Sequence, residues 1–373
     1  MLQLKIFKMI TFFNILVVIN LCFNLSASST NEIKHQIKVI HKGISLTEHT
    51  ECILVELQDE EGKPQEFYMD VESVVCGDKQ CRVDLVRIYW DKFGRYDRLE
   101  LPEGIELEKA GGEFFSAIDY DKLNTILKDK NSPLQDVYKS EIVGTIASEG
   151  IDAMTGATIL VERSAYVQGA VWTCYSLWHW AHSEAKKIIR NITGDAYSIS
   201  ELQYLLQQNN HQHFAIEQLT RRKDFSKRTN ELMLRAIEVN TELLKPSLPY
   251  WENAPKLIYL NAMQQLIPHA NKTNRLLCFN AILQTSQNPS PDFFNELNLP
   301  VHKLTYQEID LFLRILIEKN GITQEGISQL FALLYSNDFL IARRVFWFLK
   351  EQKLSKLQEH QINKFHQKWK DKL

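Results

Sequence analysis

Glycine and proline are scarce: fourteen Gly and ten Pro in 373 residues exclude a collagen-like chain or a Pro-rich linker. An excess of one charge is also missing. Lys and Arg number 43 against 46 Asp and Glu, a formal net charge of −3. A nucleic-acid reader usually needs a strongly basic balance, so nucleic acid is not expected as a partner. Lys186-Lys187 and Arg221-Arg222-Lys223 read as short solvated basic runs. Familiar catalytic signatures are absent. No Gly-x-Ser-x-Gly, P-loop or His-Glu-x-x-His occurs, and without Cys-x-x-Cys-His a c-type haem is not expected. No acidic pair stands out for general acid–base work, so no catalytic residue is assigned and no metal is expected. After residue 30 no run approaches the ~18 uninterrupted apolar residues of a membrane span. The mature chain is therefore expected not to be transmembrane.

What is present begins with a contrast in the first thirty residues. Lys5 and Lys8 precede Met9 to Leu25, apolar except for Thr11, Asn14, Asn20 and Asn24, and then comes Ser26-Ala27-Ser28-Ser29. This reads as a secretory signal over 1–28, cleaved after Ser28; an uncleaved anchor is the alternative. The expected location is periplasmic or otherwise extracytoplasmic. Beyond the signal, Cys52, Cys76, Cys81, Cys174 and Cys278 remain. The number is odd, so at least one thiol is unpaired within the chain.

The rest divides by pattern. Residues 29–50 read as a polar lead-in. Residues 51–195 read as an α+β domain, an antiparallel sheet with packed helices. Its strands are Cys52 to Leu57, Phe67 to Val75, Val83 to Trp90 and Tyr96 to Leu101, with turns at Asp59 to Pro64 and Asp91 to Gly94. A helix is predicted over 116–129 with Ser116 as N-cap, and a long one from Ser164 to Ile189, ended by Asn191 to Asp195. Residues 196–373 read as all helical. The blocks Leu205-Leu206-Gln207-Gln208-Asn209 and Leu333-Leu334-Tyr335-Ser336-Asn337 align, which predicts repeated helix pairs, an α-solenoid resembling HEAT repeats.

One segment carries chemistry. Asp152-Ala153-Met154-Thr155-Gly156-Ala157-Thr158 fits the pattern Asp-x-x-(Ser/Thr)-Gly-Ala-Thr. It resembles the flavinylation motif of the FMN-binding domain family, which includes the covalently flavinylated subunits of the sodium-pumping NADH:quinone reductase and of its Rnf-type relatives. The resemblance implies that a flavin transferase moves FMN from FAD onto Thr158, leaving a phosphoester. Asp152 then matches the leading acid and Thr155 the Ser/Thr position, with Gly156 and Ala157 in their usual places. The residue types suit the chemistry. Thr158 offers a hydroxyl, and Gly156 lacks a Cβ and lets phosphate approach. A helix expected within about six residues would turn its first amides toward the phosphate. The sequence departs from the family at Leu160, where a second Ser or Thr is common, and in lacking a clear glycine-rich segment upstream.

Two further features adjoin it. Cys76-Gly77-Asp78-Lys79-Gln80-Cys81 reads as a structural disulfide on a hairpin, as a redox pair, or as part of a metal site. In the helix near 171–182, Tyr175, Trp178, His179 and His182 share a face. They would either line a flavin pocket or pack as core, while Cys174 reads as a buried free thiol. The implied protein is an exported electron carrier with covalent FMN, whose helical repeats dock an unidentified redox protein. The alternative is a non-redox protein-binding scaffold with a degenerate FMN-binding domain, which Leu160 favours.

Overall fold

The computed structural model describes residues 31–42, 44–74, 83–109, 112–138, 142 and 163–373. The chain forms two compact units, which divide between Ala196 and Tyr197. The first is α+β and the second is helical.

Five strands build the first unit: β1 (Asn31–Ile40), β2 (His49–Gln58), β3 (Pro64–Glu72), β4 (Leu85–Asp91) and β5 (Tyr96–Glu100). They pair in sequence order as an antiparallel meander. Phe67, Met69 and Val71 face Trp90, Ile88 and Val86 across the β3–β4 ladder. All six are buried on one side of the sheet, as period-two alternation requires. Tyr68 and Tyr89 point the other way and lie under the guanidinium groups of Arg87 and Arg98. The expectation of a polar lead-in over 29–50 needs correction, because Asn31–Ile40 of that segment is the edge strand β1 and His49 and Thr50 already belong to β2. Ile33, His35, Ile37 and Val39 alternate with Glu32, Lys34, Gln36 and Lys38. The polar half, with its edge-protecting lysines, hides the strand.

Two hairpins use the same turn chemistry. In Asp59-Glu60-Glu61-Gly62-Lys63 and Asp91-Lys92-Phe93-Gly94-Arg95 the aspartate carboxylate accepts from the third and fifth backbone amides. Gly62 and Gly94 then sit at φ 76° and 73°. Their surroundings differ. A Cβ at Gly62 would meet nothing closer than 4.0 Å, whereas one at Gly94 would lie 2.7 Å from the Lys186 carbonyl. Alanine at either site meets the left-handed penalty of about 1–2 kcal/mol. Gly94→Ala is expected to cost about 2 kcal/mol more than Gly62→Ala, since backbone must also shift. Urea midpoints of the two variants measure the difference, and equal midpoints would refute the close approach.

Helix α1 (Ala117–Lys128) starts as predicted, with Ser116 and Asp119 forming a capping box. The long helix expected from Ser164 to Ile189 is instead two helices, α2 (Val171–Ala181) and α3 (Ala185–Ala196), preceded by a 3₁₀ turn at Arg163–Ala165. At the break, Ser183 Oγ accepts from the Ala185 amide, a local bond that competes with the helical ladder. Nor do Asn191 to Asp195 stop α3: Thr193 and Gly194 are buried within it, and packing overrides glycine's poor propensity.

The second unit contains α4 (Ile199–Leu205), α5 (Gln212–Arg221), α6 (Lys227–Val239), α7 (Leu244–Glu252), α8 (Lys256–His269), α9 (Lys272–Gln284), α10 (Pro291–Glu296), α11 (Tyr306–Glu318), α12 (Gln324–Leu330), α13 (Phe339–Lys350) and α14 (Lys356–Trp369). Helices α5, α7, α9, α11 and α13 pack one on the next, and α6, α8, α10 and α12 form a second row. The N-caps of the even-numbered helices fall at Ser198, Ser226, Pro255, Ser290, Thr323 and Ser355, steps of 28 to 35 residues. That step is shorter than the ~40–47 residues of HEAT repeats. The two aligned blocks each lie between the helices of a pair, α4/α5 and α12/α13. Partly buried ion pairs tie the first row together. Arg275 on α9 donates to Glu308 on α11 at 2.6 Å and to the carbonyls of Ile267 and Ala270 at the end of α8. Arg344 on α13 donates to Asp310 on α11 at 2.6 Å.

Helix α5 ends in a Schellman arrangement. The Asp224 amide donates to the Leu219 carbonyl and the Lys223 amide to that of Thr220, with Lys223 at φ 54°. The left-handed position favours glycine, and Lys223 is exposed. Lys223→Gly is therefore expected to stabilise by about 0.5–1 kcal/mol, read as a higher urea midpoint. An unchanged or lower midpoint would contradict this.

Candidate functional site

The flavinylation-like residues Asp152, Thr155, Gly156, Ala157 and Thr158 lie outside the described residues, as do Cys76 and Cys81. Their flanks are described. Before the motif, Ile142 is fully buried in the core. After it, the Arg163 carbonyl accepts from Lys122 Nζ of α1 at 3.0 Å, and Ala165, Tyr166 and Val167 enter the same core. The expectation of a helix within about six residues is corrected. Among the described residues only the 3₁₀ turn at Arg163–Ala165 lies that near, and α2 begins at Val171 with no side-chain cap. Beside the cysteines, the β3–β4 ladder runs from Glu66↔Asp91 to Glu72↔Leu85. It continues through the Ser73 amide to the Asp84 carbonyl at 2.9 Å. Cys76 is three residues after Ser73, and Cys81 is three before Asp84.

Helix α2 is apolar nearly all round, and its aromatic residues hold neighbouring backbone. Trp178 Nε1 donates to the Asp129 carbonyl at 2.9 Å, and His182 Nε2 donates to that of Leu127 at 2.9 Å. These two side chains thus satisfy carbonyls at the end of α1, which lack helical partners. Trp178 stacks on His182, with ring centroids 4.4 Å apart. The carbonyls of α2 are met in turn. Trp90 Nε1 donates to Ala181 and His41 Nε2 to Ser176, at 2.8 and 2.9 Å. Tyr175 lies edge-on to both Trp172 and His179. Tyr175 and Trp178, the two aromatic candidates for a flavin pocket, are thus both members of the buried core.

The electrostatics follow from burial. His179 is pushed down to about 3 by burial, then by His41 and Lys42. His182 is lowered to about 4 by burial and then by Lys186, whose ammonium donates to His182 Nδ1 at 3.2 Å. Both imidazoles are neutral at pH 7. Burial also raises the Cys174 thiol to about 12, and its sulfur accepts from the Val167 amide at 3.3 Å. Such a thiol is inert, because the thiolate is the nucleophile.

No family model, curated protein or solved structure matches this chain. Among the described residues no helix is long and apolar enough to cross a membrane. No cluster of three or more His, Cys, Asp or Glu there could hold a metal ion. Pattern reading missed His41, Trp90 and Lys186 as parts of the seam around α2. Each comes from a different element, so only the tertiary fold unites them. His179 Nε2 and Trp180 Nε1 are buried there without a hydrogen-bond partner among the described residues.

Proposed function

We propose that the protein is an exported electron carrier of the FMN-binding kind, with FMN joined through a phosphoester to Thr158. The sequence Asp152 to Thr158 carries this reading. The donor set fits the group: a hydroxyl at Thr158, no Cβ at Gly156 and only a methyl at Ala157. Asp152 and Thr155 complete the motif. Both flanks are anchored in one core, which supports a tethered cofactor on a rigid frame. Bound FMN would supply one- and two-electron transfer, and the covalent bond would keep it from being lost after export. In this reading a flavin transferase matures the protein, and the two-row helical unit docks a redox protein, as extended repeat surfaces do. The chain alone turns over no substrate.

Cys76 and Cys81 are proposed as a cross-strand disulfide. The β3–β4 register, if carried three residues beyond Ser73 and Asp84, would make them opposite numbers, and export would permit the bond. The intact protein is expected to be two hydrogens lighter before reduction than after, with Cys52, Cys174 and Cys278 remaining as thiols. Two free thiols at 76 and 81 after aerobic export would end this assignment.

The direct test is co-expression with a flavin transferase in an exporting host. The mature chain is expected to gain the mass of one FMN less water and to stay yellow when unfolded. A colourless, unmodified chain would instead support the non-redox scaffold. The burial of Tyr175 and Trp178 and the residue Leu160 favour that second reading.

A further inference from the structure

The net charge of −3 hides an uneven distribution. Residues 339–373 hold nine Lys and Arg against three Asp and Glu, a net of +6, and the preceding 338 residues carry −9. This stretch is the helix pair α13–α14. The apolar side of α14 is used against α13: Ile362 and Phe365 are buried, Phe365 stacks on Phe346, and Trp369 packs on Phe339. One outward stripe is basic, while Glu359 lies exposed in the first turn. Leu357, Lys364 and Lys368 recur at spacings of seven and four and so share a face, and Lys372 follows in the next turn. Leu357 is 71% exposed. The ammonium groups of Lys368 and Lys372 lie 4.9 and 5.4 Å from the centre of the Trp369 ring. The exposed stripe of α13 has the same composition. It runs Leu340, Arg343, Trp347, Lys350, with Leu340 55% and Trp347 41% exposed and Lys350 over the Trp347 ring at 4.9 Å. No acid occurs on α13.

A merely solvated face mixes both signs and exposes few large apolar groups. Here one sign dominates, interleaved with exposed leucine and tryptophan. We infer that α13–α14 is a contact surface for an anionic phospholipid bilayer. Lysines meet the headgroups, and Trp347, Leu340 and Leu357 enter the interface, where tryptophan is favoured. A nucleic acid would use the charge but not the leucines. The inference stands independently of the flavin.

The test uses the full chain, spun with vesicles of pure phosphatidylcholine and with vesicles of equal parts phosphatidylcholine and phosphatidylglycerol. Pelleting is expected only with the second, and added salt should release the protein. The triple variant K364E/K368E/K372E is expected to bind about 100-fold more weakly with an unchanged far-ultraviolet circular dichroism spectrum. Should it misfold, Lys364→Gln with Lys368→Gln gives a smaller loss in the same direction. Equal binding to both vesicles, binding to neither, or binding indifferent to these changes would overturn the inference. Retention on polyglutamate or DNA without vesicle binding would overturn it too, assigning the face to an acidic protein or a nucleic acid.

Discussion

Thr158→Ala is expected to yield a colourless protein, with no flavin mass, that folds as the parent does. A phosphoester needs an oxygen nucleophile, and alanine removes the only atom at residue 158 that could form it. The effect is all or none, unlike a weakened binding site, because the proposed tether is covalent. Thr158→Ser keeps the hydroxyl and is expected to keep the flavin, which separates loss of chemistry from loss of shape. Thr155→Ala leaves the acceptor in place and should lower the extent of modification without abolishing it. Intact mass of each exported variant, made with the transferase present, reads all three. A yellow Thr158→Ala protein whose colour survives unfolding would place the attachment elsewhere. A parent chain that stays unmodified would remove the flavin reading itself.

Much of the frame was legible because local and tertiary preferences agree. The alternation in Phe67 to Val71 and Val86 to Trp90 specified strands, and Asp-x-x-Gly specified both tight turns. Ser116 with Asp119 specified the start of α1. Where the two levels disagree, reading failed. Strand β1 alternates, but its outward residues are strongly polar, so composition masked periodicity. The break between α2 and α3 is set by Ser183 and by the turn of His182 toward α1, which no helical propensity announces. The aromatic helix was legible as a feature but not in its role. Trp178 and His182 answer carbonyls at Leu127 and Asp129, some fifty residues away in sequence. The helix pairs of the second unit showed only as two aligned blocks. Their sequences share little beyond a capping residue and an apolar face, the minimum that stacking requires.

Lowering the pH from 7.5 to 5 is expected to destabilise the first unit by roughly 3 kcal/mol through His179 and His182. The folded values are near 3 and 4, below the ordinary histidine value of about 6.5 expected in the unfolded chain. The unfolded chain therefore binds more protons as the pH falls below 6.5, and stability declines from that point. The decline stops near pH 4 for His182 and near pH 3 for His179, where the folded forms also protonate. At pH 5 the unfolded value exceeds the pH by about 1.5 units, or about 2 kcal/mol for a fully penalised imidazole. His182 is partly exposed, so its share is smaller. His41 and Lys42 oppose a charge on His179, and Lys186 opposes one on His182 while Asp129 favours it. Carboxylates do not confuse the window. Asp119, held at about 2 chiefly by Lys109, withdraws its contribution only below the ordinary aspartate value near 4. Hydrogen exchange of the α2 amides in urea, followed by mass spectrometry at both pH values, isolates this unit from the helical one. The double variant His179→Gln/His182→Gln removes these two titrations and should show a smaller change between pH 7.5 and 5 than the parent. Equal protection of α2 in the parent at both values would mean that these imidazoles accept protons in the folded state, against the burial that sets their values here.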